Sequence, residues 1–328
     1  MSASNAGEST SHAAVKTMTA EFQSRPCPVC GSTDDSRVFA EKTLDDSTWK
    51  ELSFSSRKLP EYLVHRMIEC PDCDVVYASP APHEEVLEQA YRTAPFVSAD
   101  ESAFAAETYR RLLRPLLKQL PDRSNALDIG ASDGTFLETL LDEGFRSVVG
   151  IEPAAASAEA APERVRDRIR VEPFRRATLA GERFNLITAF QTLEHVSDPI
   201  EVVSDAFELL DTGGAILVVV HNRRSLLSRL MGRRSPILDV EHVQLFSPRS
   251  IRELLRRGGF EDIRVAGVTN RYPLRYWLKI APLPTALKRS LLKALEHSRI
   301  GSIPISFRPG NLVASAWRRT QSDATIMP

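Results

Sequence analysis

The stretch LDIGASDGTF, at residues 127–136, constrains the fold of this chain more than any other part of its sequence. An apolar run ends at Ile129, a glycine-rich turn follows, and apolar residues at helical spacing begin after Gly134. A turn of this composition between a strand and a helix is typical of α/β folds that bind a nucleotide cofactor. The turn therefore predicts a cofactor site at the end of a strand.

The position of this turn among the predicted strands and helices decides whether it is a cofactor-binding loop or the nucleophile elbow of a hydrolase. Gly130-x-Ser132-x-Gly134 also matches the nucleophile elbow of hydrolases, in which Ser132 would attack the substrate. A hydrolase elbow follows several strands and an oxyanion-hole loop, whereas residues 126–129 form the first predicted core strand here. Glu152 ends the next strand, where a carboxylate accepts hydrogen bonds from ribose hydroxyls. The sequence favours the cofactor loop, and the lack of G-x-G-x-x-G makes NAD and FAD poor fits.

Short apolar segments alternate with amphipathic ones from residue 125 onward, which predicts a mostly parallel sheet with helices on both faces. Before this region, residues 83–91 and 102–120 show helical spacing. Predicted strands cover residues 126–129, 147–151, 168–171, 184–190, 215–220, 263–268 and 311–317. Predicted helices between them cover residues 135–143, 155–161, 199–210 and 248–257.

The four cysteines fall in two C-x-x-C pairs, Cys27 with Cys30 and Cys70 with Cys73. No signal-peptide pattern precedes them, so disulfides are not expected. Two such pairs supply four thiolates, which is the full ligand set of a closed, structural zinc site. A redox-active dithiol is the alternative. We predict a zinc-ribbon-like module over residues 23–82, in which residues 31–69 form a hairpin or an insertion.

Composition limits the remaining possibilities. The 328 residues have a net charge of −1, so the chain as a whole is not attracted to nucleic acid or to anionic membranes. No segment approaches the ~20 apolar residues of a membrane span. Residues 1–22 are polar and are expected to form a disordered tail. We predict a cytoplasmic protein with a helical linker or cap over residues 83–122 and a main domain over residues 123–328.

Four segments resemble the successive motifs of class I S-adenosylmethionine (SAM)-dependent methyltransferases. They are LDIGASDGTF, VVGIEP, FNLITAFQTLEHVSDP and LLDTGGAILVVV, and the resemblance covers about residues 125–270. It implies a Rossmann-like, seven-stranded α/β sheet. NLVASAW, at residues 311–317, would be the antiparallel seventh strand between strands five and six. A four-cysteine module before this domain resembles, more loosely, methyltransferases of sugar and secondary-metabolite pathways.

The resemblance also implies which residues contact the cofactor. Gly130, Ser132 and Gly134 would lie under the methionine part of SAM. Asp128 would orient this loop or accept a hydrogen bond from the cofactor's amino group, and Glu152 would hold the ribose.

Three further cofactor contacts follow from the same resemblance. Phe190 and Gln191, after strand four, would line the pocket beside the methyl group. The adenine contact is open, since Glu172 is the nearest match to an acidic residue of the family and Phe174 could instead pack on the adenine.

Three histidines are candidate general bases, because an unperturbed histidine titrates near neutrality. His195 lies in the E-H-V motif after strand four, whereas His221 and His242 belong to residues 221–247, an acceptor-side insertion after strand five. Each could instead have a structural role. The same insertion has five arginines, which form either a solvated helix face or a site for an anionic acceptor: Arg223, Arg224, Arg229, Arg233 and Arg234.

A second acceptor-side insertion covers residues 271–303, where apolar and basic residues alternate as in an amphipathic helix. It predicts a lid, a homodimer face or a membrane-surface contact. These patterns and the resemblance together predict a SAM-dependent methyltransferase that acts on oxygen or carbon of a sugar, a glycan or a secondary-metabolite intermediate, either neutral or negatively charged. The alternatives are an RNA methyltransferase with a zinc module, which the near-neutral charge disfavours, and a non-catalytic cofactor-binding protein.

Overall fold

A computed structural model describes residues 22–44, 54, 63–96, 99–281, 283–296 and 299–319. The predicted disordered tail, residues 1–22, lies outside the described residues except for Phe22. The strands are β1 (Phe22–Gln23), β2 (Val38–Ala40), β3 (Met67–Glu69), β4 (Val76–Ala78), β5 (Ala81–Pro82), β6 (Asn125–Ile129), β7 (Ser147–Ile151), β8 (Ile169–Arg170), β9 (Phe184–Phe190), β10 (Leu210–His221), β11 (Gln244–Leu245), β12 (Glu261–Gly267), β13 (Asn270–Pro273), β14 (Pro304–Phe307) and β15 (Asn311–Trp317). The helices are α1 (Glu84–Arg92), α2 (Ala99–Leu117), α3 (Thr135–Asp142), α4 (Ala155–Glu159), α5 (Glu163–Arg166), α6 (Pro199–Leu209), α7 (Leu226–Met231), α8 (Pro248–Arg257), α9 (Leu274–Ile280) and α10 (Thr285–Glu296).

The main sheet has seven strands in the order β12-β15-β10-β9-β6-β7-β8. Strands β10, β9, β6, β7 and β8 are parallel to one another, whereas β15 is antiparallel to both β10 and β12. The last strand of the chain is therefore inserted between the fifth and sixth strands of the sheet. This arrangement confirms the predicted seven-stranded fold with an antiparallel last strand.

Local sequence signals explain where the site-forming helices begin. Asp198 caps α6, since its side chain accepts hydrogen bonds from the backbone N–H groups of the next turn, and Pro199 occupies the first helical position. Ser247 and Ser250 form a capping box at the start of α8. The helix predicted over residues 155–161 corresponds to α4, which ends at Glu159, and Pro162 precedes a separate short helix, α5.

The four-cysteine module is not structurally separate from the main domain. Strands β2, β3 and β4 form an antiparallel sheet, and β11 adds a fourth strand to it by pairing with β4. Strand β11 belongs to the insertion that follows β10. The two parts of the chain are further joined by Arg25, whose guanidinium donates to the carbonyl oxygens of Ser197 at 2.7 Å and Val243 at 2.8 Å.

The segment over residues 271–303 contains α9 and α10, and β13 and β14 form an antiparallel pair on either side of them. Aromatic side chains hold this segment together. Tyr272 stacks on Tyr276 with ring centroids 4.3 Å apart, and Trp277 contacts Phe307 edge-on. Strand β13 packs against α2. Among the described residues, no helix is long and apolar enough to cross a membrane.

Candidate active site

A cavity of about 1280 Å³ opens at the carboxyl ends of the parallel strands β6, β7 and β9. Ligands bind at this edge in open α/β sheets. One end of the cavity is lined by the glycine-rich turn and Glu152, and the other by His195, His221 and His242. Pockets for one drug-sized ligand measure roughly 300–1,000 Å³. The cavity therefore has room for a cofactor together with a small second ligand.

The turn after β6 has a backbone that requires glycine. Gly130 has φ +77° and Gly134 has φ +67°, both in the left-handed region. A Cβ on Gly130 would lie 2.5 Å from Thr192 Oγ1, which is closer than real contacts allow. The backbone N–H groups of Gly130 and Ala131 both donate to the carbonyl oxygen of Ile151, at 2.8 and 3.0 Å. The turn is thus attached to the end of β7.

Glu152 is 8 % exposed and connects the turn to the end of β7. Its Oε2 accepts a hydrogen bond from the backbone N–H of Ser132 at 2.8 Å, and its Oε1 accepts one from Ala154 at 2.9 Å. Burial raises the pKa of this carboxyl, and the two backbone N–H groups oppose that rise. Each carboxylate oxygen can accept more than one hydrogen bond, so both can still receive ribose hydroxyls.

Asp128 lies at the floor of the cavity on β6 and is buried. The hydroxyl of Thr188 on β9 donates to its Oδ1 at 2.6 Å. The pKa of Asp128 is raised to about 7, mainly by burial and also by the charge of Glu152, while the Thr188 hydrogen bond opposes the rise. A nearby cationic amino group would favour the charged form of this carboxyl.

Aromatic side chains cover the cavity beyond β9. Phe190 stacks on Tyr109 of α2 with ring centroids 4.0 Å apart, and Phe136 of α3 contacts Phe190 edge-on. Of the two candidates for the adenine contact, Phe174 lines the cavity, whereas Glu172 is not among the described residues that line it.

Gln191 and Ser132 share an uncommon backbone conformation, with φ +54° and +51°. Gln191 Nε2 lies 3.3 Å from His221 Nδ1, so this amide connects the cofactor end of the cavity with the histidines. The hydroxyl of Ser132 makes no hydrogen bond with a histidine or carboxylate in the described part of the chain. The predicted cofactor loop is therefore favoured over a nucleophilic serine.

Three histidines meet at the other end of the cavity. The ring of His242 lies 4.8 Å from that of His195 and 4.9 Å from that of His221, measured between centroids. His242 Nδ1 lies 2.9 Å from the carbonyl oxygen of Ile237, which can only accept, so Nδ1 carries the proton. The pKa of His221 is lowered to about 3, mainly by burial and also by His242, while a hydrogen bond to Asn311 opposes this. His221 is therefore neutral at physiological pH.

A comparison with known protein families agrees with this geometry. The family model described as "Methyltransferase domain" matches residues 102–265, which is 164 of the 328 residues and thus half of the chain. The match includes the glycine-rich turn, Glu152 and the three histidines. The chain belongs to the SAM-dependent methyltransferase family.

Curated relatives match about half of this methyltransferase. It is 29 % identical over 169 residues to the ubiquinone biosynthesis O-methyltransferase of Psychrobacter arcticus, which is 46 % of this chain and 65 % of that protein. It is 26 % identical over 172 residues to the protein of the same name from Leptothrix cholodnii, covering 48 % of this chain and 73 % of that protein.

Solved methyltransferase structures superpose in part. A SAM-dependent methyltransferase from Archaeoglobus fulgidus is 19 % identical with a TM-score of 0.44, covering 66 % of this chain and 97 % of that one. Phosphoethanolamine N-methyltransferase 2 from Haemonchus contortus, in complex with SAM, is 16 % identical with a TM-score of 0.42, covering 75 % and 63 %.

The four cysteines of this methyltransferase converge as the sequence predicts. Their Sγ atoms all lie within 4.8 Å of one another, and the Cys27–Cys73 and Cys30–Cys70 pairs are 3.5 Å apart. These distances are too long for disulfides, and they match the roughly 3.8 Å between thiolates around a tetrahedral zinc with ~2.3 Å Zn–S bonds. Each knuckle is closed by a residue with positive φ, which is Gly31 in the first and Asp74 in the second.

The five arginines of the insertion after β10 do not form a site for an anionic acceptor, which was one of the two interpretations of the sequence. Arg223 is buried and binds Glu69 at 2.6 Å, and its guanidinium also contacts Asp74. Arg224 binds the same two carboxylates. Both arginines thus attach the insertion to the four-cysteine module. Arg229, Arg233 and Arg234 are exposed, and none of the five lines the cavity.

Two aromatic residues line the site that the sequence did not predict there. Tyr91 on α1 has its hydroxyl 2.6 Å from His195 Nδ1, and Tyr109 on α2 stacks on Phe190. Both helices were predicted only as a linker or cap. The sequence shows that each of these helices contains a tyrosine. It does not show which face of a helix will point towards a cavity formed by distant parts of the chain.

Glu194 is a fully buried carboxyl beside the histidines. Its Oε1 accepts a hydrogen bond from the backbone N–H of His221 at 2.6 Å, and its Oε2 has no hydrogen-bond partner among the described residues. Burial raises the pKa of this group to about 8, while the His221 N–H opposes the rise. At neutral pH the Glu194 carboxyl is therefore largely protonated.

The raised pKa of Glu194 predicts how stability depends on pH. Between its ordinary pKa of 4.5 and about 8, the folded state binds more protons than the unfolded state. The stabilising contribution is fully present below about pH 4.5 and is lost as the pH rises towards 8, by on the order of 4 kcal/mol. We expect Glu194→Gln to gain stability relative to the wild type between pH 5 and pH 8.

Urea denaturation at several pH values measures this difference. Exposed Glu261 offers a matched control, since Glu261→Gln should leave the pH dependence of the unfolding free energy unchanged. A Glu194→Gln curve parallel to that of the wild type would show that the carboxyl titrates normally.

Proposed function

We propose that this methyltransferase transfers the methyl group of SAM to a hydroxyl oxygen of a small-molecule acceptor, and that His195 is the general base. The single cavity that joins the Glu152 end to the histidine end carries this proposal. SAM supplies an electrophilic methyl group, so the protein's tasks are to align the acceptor oxygen, exclude water and accept the hydroxyl proton. The curated relatives are named O-methyltransferases, which supports oxygen over carbon.

Hydrogen bonding around His195 supports its role as the base. Its Nδ1 lies 2.6 Å from the Tyr91 hydroxyl and 3.1 Å from the carbonyl oxygen of Glu241. The Tyr91 hydroxyl also lies 3.4 Å from that carbonyl, and donates to it. A proton on His195 Nδ1 satisfies all three groups, because a carbonyl oxygen can only accept. Nε2 then carries the lone pair that a general base requires.

The cofactor roles predicted from the sequence fit the geometry at the other end. Glu152 would accept hydrogen bonds from the ribose hydroxyls. Asp128 would face the cofactor's amino group above the glycine turn, and Phe174 would cover the adenine. Phe190 and Gln191 would border the methyl group, between the cofactor and the histidines.

The cavity wall supports an acceptor with an apolar face. Tyr272, Tyr276 and Trp277 line the cavity, together with Ile305 and Phe307. Aromatic rings pack on flat apolar surfaces of a ligand. A sugar, a glycan or a secondary-metabolite intermediate remains the predicted acceptor class.

A negatively charged acceptor has less support. Arg175 lines the cavity and binds Glu84 at 3.1 Å and Glu88 at 2.5 Å. Arg176, which also lines it, lies 3.5 Å from Asp205. Acidic side chains neutralise these two cations, and the third arginine of the cavity wall, Arg183, is exposed and donates to the carbonyl oxygen of Glu182. The arginines therefore do not form a site that favours an anion over a neutral acceptor.

We further propose that the four cysteines hold a structural zinc ion. The cluster offers four converging sulfur ligands, and no other group of three or more histidine, cysteine or acidic side chains among the described residues converges in this way. Four thiolates complete the tetrahedral coordination of zinc and leave no position for a substrate. The zinc would stabilise the module and take no part in methyl transfer.

Replacing Glu152 tests the cofactor assignment. Hydrogen bonds to a charged group contribute ~1.5–3 kcal/mol each, so loss of two ribose contacts should raise the Kd for SAM roughly a hundredfold or more in Glu152→Ala. Isothermal titration calorimetry measures this affinity. Glu172→Ala is the matched control, since Glu172 follows the next strand without lining the cavity, and its Kd should match that of the wild type. Equal affinity in both variants would contradict the ribose assignment, and no binding of SAM by the wild type would contradict the proposed function.

A further inference from the structure

An exposed apolar surface borders the mouth of the cavity and has no role in the function proposed above. Leu226 and Leu230 of α7 are 72 % and 77 % exposed, and exposed apolar side chains are informative where they form a patch. Ile305 and Phe307 of β14 are also exposed, and both line the cavity. The apolar wall of the cavity therefore continues onto the protein surface. The mouth surface is the name we give to these four side chains together with the other exposed apolar side chains of residues 287–303: Leu226, Leu230, Leu287, Leu291, Ile300, Ile303, Ile305 and Phe307.

The two parts of the mouth surface are joined by close backbone packing. The backbone N–H of Asn222, before α7, donates to the carbonyl oxygen of Gly310, after β14, at 2.7 Å. A Cβ on Gly310 would lie 2.4 Å from Ser225 Oγ, so these segments touch. On the inner side of α7, Leu227 and Met231 line the same cavity as β14. The exposed leucines of α7 therefore stand beside the cavity mouth.

Positive charge accompanies these apolar side chains. Between positions 271 and 308 the sequence has eight lysines and arginines and one acidic residue, Glu296. Arg275, Arg289 and Lys293 of this segment are exposed, as is Arg229 of α7. The whole chain has a net charge of −1, so the cations are concentrated here.

We propose that the mouth surface docks on an anionic lipid bilayer. Exposed leucine, isoleucine and phenylalanine side chains beside lysine and arginine are the combination that binds the interface of anionic membranes. A second copy of the chain is a poorer partner, because symmetric pairing would bring the same cations together. Docking in this way needs no membrane-spanning helix.

Docking would turn the mouth of the cavity towards the lipid. An acceptor with an apolar chain could then reach the histidines from the bilayer without crossing water. This consequence rests on the proposed methyl-transfer function, whereas docking itself does not.

Vesicle co-sedimentation of the full-length protein tests the proposal. We expect it to bind vesicles containing phosphatidylglycerol and not to bind pure phosphatidylcholine, with binding that weakens as salt is added. Each lysine or arginine at an anionic membrane changes the partition coefficient by about fivefold. The triple variant Arg275→Glu, Arg289→Glu and Lys293→Glu should therefore lower it on the order of a hundredfold. Leu226→Ser with Leu230→Ser should lower it roughly tenfold.

A matched triple variant shows whether vesicle binding depends on the cations beside the mouth surface or only on the net charge of the protein. Lys118→Glu, Arg168→Glu and Arg252→Glu make the same charge change at exposed positions outside the mouth surface and its segment. This control should bind vesicles about as well as the wild type. Calorimetry with SAM should give unchanged affinity for all variants, so a failure of docking is distinguished from a failure of the cofactor site.

Three results would overturn the proposal. One is no binding of the wild type to phosphatidylglycerol vesicles, and another is an equal loss of binding in the control triple variant. The third is a dimer in solution that the Leu226→Ser and Leu230→Ser changes convert to a monomer, since a second copy would then cover the surface.

Discussion

Replacing Cys27 and Cys70 by serine is expected to unfold the four-cysteine module and to suppress methyl transfer, with a much smaller effect on SAM affinity. A structural zinc contributes roughly 10–16 kcal/mol to the folded state of small zinc modules, which is as large as the whole stability of a typical domain. The module's small sheet cannot compensate for such a loss. Zinc content per chain should fall from one to zero, and limited proteolysis should cut within residues 22–96.

Loss of the module should affect methyl transfer more than SAM binding because of the parts of the main domain that the module contacts. Its strand β4 pairs with β11, just after His242, and Arg25 binds the carbonyl oxygens on either side of the histidine cluster. Strands β6 and β7, which carry Asp128 and Glu152, have no such pairing with the module. Loss of zinc should therefore disturb the acceptor end and largely preserve the cofactor end.

Ser32→Ala is a suitable control, because this residue contacts the first knuckle through its backbone, whose carbonyl oxygen accepts from the Cys27 N–H, whereas its hydroxyl accepts from the backbone N–H of Asp34. It should retain zinc and activity. A double-serine variant that stays folded and active without metal would remove the structural role that we assign to zinc.

Replacing His195 by alanine is expected to lower kcat by about 10²–10⁴-fold, the usual contribution of a general base. The Kd for SAM should change little, because His195 lies at the acceptor end of the cavity. Steady-state kinetics with SAM and any accepted hydroxyl substrate would measure kcat, and calorimetry would measure SAM binding. The pH–rate profile should lose its acidic limb, since that limb reports protonation of the base.

Tyr91→Phe separates positioning from catalysis. Without the hydroxyl, His195 keeps the Glu241 carbonyl as its Nδ1 acceptor, so we expect a loss of activity roughly tenfold or less, of the size of one hydrogen bond. His83→Ala is the histidine control, since His83 has no side-chain capping bond and does not line the cavity. If His195→Ala kept wild-type kcat, the base would have to be one of the other two histidines.

The cofactor end of the site could be predicted because its residues are close in sequence to the strands that position them. The turn from Gly130 to Gly134 follows β6 directly, and Glu152 follows β7. Parallel neighbouring strands place their carboxyl ends at one edge of the sheet. The apolar run of each strand therefore shows where the glycine turn and Glu152 lie, because each follows its strand directly. The cysteine cluster was predictable in the same way, because each C-x-x-C pair is a local unit.

The acceptor end could not be predicted, because its groups come from distant parts of the chain. His195 and Tyr91 are 104 positions apart, and Arg223 reaches Asp74 over 149 positions. The sequence shows that these residues are polar, but it does not show which helix face or loop will meet which partner. From the sequence, Arg223 and Arg224 could have belonged to an acceptor site. Only the tertiary structure shows that both arginines bind acidic residues of the four-cysteine module.

The sequence by itself determined a mostly parallel α/β sheet, the glycine turn with Glu152 and the four converging cysteines. Each depends on short-range patterns: apolar periodicity, the special backbone of glycine and the spacing of ligand pairs. The seven strands and the antiparallel last strand were implied by the resemblance to class I methyltransferases. Only the tertiary structure decided the acceptor end, with its three histidines, Tyr91 and buried Glu194. Long-range packing fixes which side chains are buried together, and burial in turn sets the pKa of Glu194 and His221.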